Sequence, residues 1–124
     1  MTDDDAGTAI SIIPTLGVPD LDEAVRYYRR VGFEERWRYP EGADATNVGL
    51  GCGQVTVMLA LRPDGERVER QNFYVIMRDI ASFHEAVRKE LGDDVSPLVD
   101  ADYGMRDFSL RDPWGHQLTF GEER

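Results

Sequence analysis

The amino-acid sequence predicts an α+β fold in which one βαβββ unit occurs twice. Three observations carry this. Apolar residues fall on every second position in most stretches and on every third or fourth in two others, giving strand–helix–three strands, two times over. Short motifs recur between the halves: Val18-Pro19-Asp20-Leu21 returns as Met77-Arg78-Asp79-Ile80, and Gly53-Gln54-Val55 as Gly115-His116-Gln117. Residues 103–121, YGMRDFSLRDPWGHQLTFG, read as a β-hairpin that closes the second half. Neither half could bury its sheet face alone, so the two units must pack together.

Met1 to Gly7, with Asp3, Asp4 and Asp5, reads as a solvated tail, and residues 1–8 are expected to be disordered. Ala9 to Val18 is rich in Ile and Val and reads as a strand, with Pro14 marking an edge or a bulge. Asp20 caps the first helix, and Glu23 three positions on completes a capping-box pattern. Leu21, Ala24, Val25, Tyr28 and Val31 form its buried stripe, and Gly32 ends it in the left-handed conformation. Phe33 to Tyr39 alternates as a strand, Pro40-Glu41-Gly42 turns, and strands 45–50 and 54–61 meet through Gly51-Cys52-Gly53.

Residues 62–70, RPDGERVER, read as a linker between a first module at 9–61 and a second at 71–122. Asn72 to Met77 is a strand. Ser82 with Glu85 suits the cap of the second helix better than Asp79 does. Phe83, Ala86, Val87 and Leu91 make its stripe, and Gly92 ends it. Val95 to Val99 is a short strand. In the hairpin, Phe108 and Leu110 alternate with Asp107, Ser109 and Arg111. Asp112-Pro113-Trp114-Gly115 supplies type I turn residues, and Leu118 and Phe120 alternate with Gln117 and Thr119.

The 124 residues suffice for one domain with one core. No stretch reaches the ~20 apolar residues of a membrane span, and the acidic start is no signal-peptide n-region. A single cysteine excludes an internal disulfide. A cytoplasmic protein is therefore expected. Its net charge of −10 disfavours nucleic acid and anionic membranes and favours cationic partners.

The duplication, with LGVPDLDEAVRYYRRVGF near the start and YGMRDFSLRDPWGHQLTFGE at the end, resembles the vicinal oxygen chelate superfamily, in its glyoxalase/bleomycin resistance branch. The resemblance spans Ile10 to Glu122. It implies a curved eight-stranded mixed sheet built from the two modules, and a homodimer, often with the first strand exchanged. Metal-dependent members place His or Glu at strand positions that fall here on Ile13, Asn72 and Thr119, with a further ligand from strand 54–61, which has no Asp, Glu or His. No cofactor or metal is therefore expected. His84 reads as a solvent-side helix residue, and His116 has the opposite parity to Thr119; both are expected to be structural or surface residues. Trp114 is expected to be exposed or packed on a loop.

Strand parity places Thr15, Tyr74, Ile76 and Gln117 with the three substituted positions on one open face. Trp37 and Tyr39 share a face on the strand after the first helix. The candidate ligand-binding set is Ile13, Thr15, Trp37, Tyr39, Met58, Asn72, Tyr74 and Thr119. The function expected is metal-independent binding of a cationic, aromatic small molecule in a groove between modules or subunits, as the resemblance to bleomycin resistance proteins implies. The rival is a lyase or dioxygenase of the same superfamily with a non-standard or absent metal site.

Overall fold

A computed structural model describes residues 7–63 and 68–124. Most of the expected acidic tail, at residues 1–6, and the middle of the expected linker, at 64–67, lie outside the described residues. The order is β1 (Thr15–Val18), α1 (Leu21–Val31), β2 (Glu34–Tyr39), β3 (Asn47–Cys52), β4 (Val55–Leu61), β5 (Asn72–Ile76), α2 (Ile80–Leu91), β6 (Val99–Asp100), β7 (Met105–Arg111) and β8 (Gln117–Glu123). The eight strands form two mixed four-stranded sheets, β1-β4-β3-β2 and β5-β8-β7-β6. In each the module's first strand runs parallel to its last, and the remaining pairs are antiparallel. The strand–helix–three strands repeat is thus present in space.

One face of each sheet carries the core. Leu16, Val18, Val48, Leu50, Val57 and Leu59 pack beneath α1, and Val75, Phe108, Leu110, Leu118 and Phe120 beneath α2, all within one apolar cluster. Asp20 caps α1 as expected, its side chain accepting from Glu23 N at 2.9 Å. Gly32 closes α1 at φ 107°, and its N–H reaches back to carbonyls of the last turn.

The modules are joined by buried polar contacts. Tyr28 on α1 donates to Asp112 Oδ2 at 2.6 Å. His116 is fully buried between the modules: Gln71 N donates to its Nδ1 at 3.0 Å, so its proton sits on Nε2, 2.8 Å from Gly17 O. Asp112 Oδ1 also accepts from Trp114 N and His116 N, which fixes the β7–β8 turn as an Asx turn.

Several expectations are corrected. The strand expected from Ala9 begins only at Thr15; residues 7–14 form no strand, and Ile10 is 93% and Ile12 88% exposed. The strand expected at Val95–Val99 shrinks to β6, with Val95 held by an isolated bridge to Leu110. Helix α2 starts before Ser82 and is not capped by it. Asp79 sits at its N-cap with φ 55° and makes no side-chain cap. Glu122 instead reaches from β8 to accept from Asp79 N and Ile80 N. His84 is half-buried rather than solvent-facing, with Nε2 2.9 Å from Ser96 O and its ring edge-on to Phe108. Trp114 is packed on the core and meets Tyr27 edge to face at 5.9 Å.

Candidate functional site

The faces of the two sheets turned away from the helices carry the candidate residues, and strand register sorts them into rows. On the first sheet Thr15 pairs with Met58, Met58 with Gly49, and Gly49 with Trp37. The next row runs Gly17, Ala60, Asn47, Tyr39. On the second sheet Tyr74 pairs with Thr119 and Thr119 with Ser109. Asn72, Gln117 and Arg111 form the row on one side, and Ile76, Gly121, Asp107 and Val99 the row on the other. The structure therefore brings Thr15, Met58, Trp37 and Tyr39 onto one surface, and Asn72, Tyr74 and Thr119 onto another. Trp37 and Tyr74 belong to different sheets.

Glycines shape both surfaces. The Trp37 indole lies across Gly49, where a Cβ would stand 2.1 Å from the ring. The Arg36 guanidinium lies across Gly51 and donates to Gly53 O at 2.7 Å. On the second sheet Tyr74 crosses Gly121, where a Cβ would stand 1.9 Å from the phenol oxygen. The missing side chains let these large groups lie flat on the sheet, and Trp37 stays 41% exposed as a platform. Arg38, on the other side of the strand, forms a bidentate pair with Glu35 and also bonds Asp22.

Ile13 stands apart from the rows, in the arm before β1. Between that arm, the start of β4 and β5 runs a groove of about 570 Å³, lined among others by Ile12, Ile13, Val55, Phe73, Tyr74 and Ile76. It brings Ile13 to Tyr74. Of the two strands that line it, β5 is an outer strand of its sheet and β4 an inner one.

Sequence reasoning missed two residues, Asp107 and Tyr103. Asp107 Oδ2 accepts from Tyr74 at 3.0 Å and also from Tyr103. Tyr74 is held well above the ordinary phenol range, first by desolvation and then by its bond to Asp107. Tyr103 is raised too, first by its bond to Asp107. Alternation along β7 put Asp107 on this face. Only the pairing of Asp107 with Gly121 brings it under Tyr74.

The residues 11–120 match the model of the Glyoxalase/Bleomycin resistance protein/Dioxygenase superfamily. The chain belongs to that superfamily. Among solved structures, TioX from Micromonospora sp. ML1 superimposes with a TM-score of 0.77 at 25% identity, covering 94% of this chain and 100% of that one. A bleomycin-binding protein complexed with bleomycin gives 0.76 at 18%, with coverage of 94% and 100%. A glyoxalase-related enzyme from Clostridium phytofermentans gives 0.75 at 16%, with 98% and 100%. The last two likenesses speak for the fold alone. No curated protein sequence matches the chain.

Superfamily members that hold a metal set the chemical test for this site. The corresponding positions offer an alkyl group at Ile13, an amide at Asn72 and a hydroxyl at Thr119, and β4 carries no Asp, Glu or His. Ile13 is also off the sheet. These donors do not fit a divalent ion. Among the described residues no three His, Cys, Asp or Glu cluster as a possible metal set, and no helix is long and apolar enough to cross a membrane.

Proposed function

We propose that this superfamily member binds a cationic, planar small molecule without altering it and without a metal, in a groove completed by a second copy of the chain. The observation that carries the reading is the Trp37 indole, laid flat on Gly49 and open to solvent. Tyr39 lies exposed on the same surface. Stacking on such a platform contributes roughly 0.5–2 kcal/mol when the ligand carries positive charge. The net charge of −10 would speed the encounter with a cation.

The reading includes a homodimer. Ile12, Ile13 and Ile76 line the 570 Å³ groove and are exposed, and β1 and β5 are outer strands of their sheets. Such edges need covering, and a second chain would cover them while setting the two open surfaces against each other. The candidate set Ile13, Thr15, Trp37, Tyr39, Met58, Asn72, Tyr74 and Thr119 then forms the walls.

The test is a titration read by tryptophan fluorescence, with bleomycin-like glycopeptides and smaller cationic aromatics. Trp114→Phe removes the second indole and keeps a ring against Tyr27. In that background Trp37→Ala should weaken binding while circular dichroism stays unchanged. Equal affinity in the two proteins would place the platform elsewhere.

A further inference from the structure

Asp107 is 7% exposed and lies on the open face of the second sheet. Both bonds it accepts there fall on Oδ2, from Tyr74 and Tyr103. Its Oδ1 accepts no hydrogen bond from the described residues. Among the described residues the buried side-chain polar atoms without a partner comprise Tyr27 Oη alone, so Oδ1 is reached by solvent. Among the described residues no Lys, Arg or His lies within salt-bridge distance of Asp107; nearby Arg106 is bound to Asp100 at 2.7 Å, and Arg111 to Gly115 O and Gln117 Oε1. A mostly buried carboxylate with no cation is costly, and two phenols offset only part of that cost.

Asp107 lines a recess of about 270 Å³ together with Ser109, Thr119, Tyr103, Val99, Ser96 and Phe108. The hydroxyls of Ser109 and Thr119 bond to nothing among the described residues, and the two are paired across β7 and β8. The recess is thus lined by a carboxylate with one oxygen unbonded and by two hydroxyl side chains, none with a partner there among the described residues, and by the aromatic residues Tyr103 and Phe108. It is large enough for a head group and too small for a whole polycyclic ligand.

We propose that this recess binds a primary ammonium group of the ligand. An ammonium carries three N–H donors on a compact charge, matching Asp107 Oδ1, Ser109 Oγ and Thr119 Oγ1 in number and kind. The Tyr103 ring adds a favourable face to the same charge. A quaternary ammonium would leave all three oxygens without a donor. The position where metal-holding superfamily members carry a ligand is thus occupied here by a hydroxyl, Thr119, serving a different cation. The proposal deepens the binding reading above and rests on it for the planar remainder of the ligand.

The experiment is an amide chemical-shift titration of the full chain with benzylamine, benzyl alcohol and benzyltrimethylammonium. Benzylamine should shift the Asp107, Ser109 and Thr119 resonances along a saturable curve, and the other two compounds should bind about tenfold more weakly or worse. Asp107→Asn should cost benzylamine about tenfold, and Thr119→Val should cost several-fold. If benzyl alcohol binds as tightly as benzylamine, if the shifts fall elsewhere, or if Asp107→Asn and Thr119→Val both bind as the parent does, the ammonium site is refuted. Those results leave Trp37 quenching by planar cations intact. Loss of that quenching with the benzylamine shifts retained would refute the platform and keep the ammonium site.

Discussion

The phenol of Tyr28 on the first helix donates to Asp112 in the β7–β8 turn at 2.6 Å, and both side chains are buried. One carboxylate therefore ties the first module to the turn of the second and shapes that turn through Trp114 N and His116 N. Tyr28→Phe should cost about 1–3 kcal/mol in denaturant unfolding, since it leaves a buried carboxylate oxygen without its donor. Asp112→Ala should cost more than Tyr28→Phe, because it orphans the phenol and two backbone N–H groups at once.

His116 makes a second tie. Its replacement by Ala would leave Gln71 N and Gly17 O unpaired and open a cavity in a fully buried position. We expect a loss of about 3 kcal/mol or more. Nitrogen NMR should show the proton on Nε2; a proton on Nδ1 would contradict the bond from Gln71.

Alkaline pH should unfold the protein through the first helix. Burial pushes Tyr27 up from an ordinary value of 10.0 to about 12, and pushes Tyr28 higher still, with Asp112 adding to both. A phenol raised in the folded state contributes stability that is complete below its unfolded value and is lost as pH climbs through the folded one. Stability attributable to these groups should be level through neutral pH and should fall from about pH 10 upward. Tyrosinate absorbance followed with circular dichroism measures this. Free titration of all five tyrosines near pH 10, with the fold retained, would contradict it.

The glycines under Trp37 and Tyr74 make a separate prediction. Gly49→Ala would put a Cβ 2.1 Å from the indole and should lift Trp37 off the sheet. Its emission should move to the red and ligand affinity should fall, at a stability cost of about 1–3 kcal/mol. Gly121→Ala should displace Tyr74 from Asp107 at a similar cost and bring the Tyr74 phenol down toward the ordinary range.

The fold was legible because local and global signals agree over most of the chain. Asp20, the apolar stripe of α1, Gly32 and the Asp112–Gly115 turn each act within a few residues of where they stand. The exceptions depend on distant partners. The Ile residues before Thr15 have strand propensity, but residues 7–14 join no strand ladder, and propensity without pairing makes no strand. The cap of α2 comes from Glu122, 42 residues beyond Ile80, which no local motif reveals. The parity of Trp37 and Tyr39 was readable, and so was a signal that went unused: Gly49 and Gly51 alternate on the strand that faces them. Asp107 was hidden because alternation gives a residue's face, while its burial needs the register that sets it opposite Gly121.

The central claim is that this chain binds a planar cation without metal. Calorimetric titration of chelator-treated protein with a bleomycin-like glycopeptide, at low and high salt, tests it most directly. The account predicts saturable binding in the presence of chelator, weaker at high salt where charges beyond a Debye length of roughly 3 Å at 1 M are screened, and weaker again in Trp37→Ala. Binding that appears only when a divalent metal is restored, or a ligand recovered chemically changed, would contradict it.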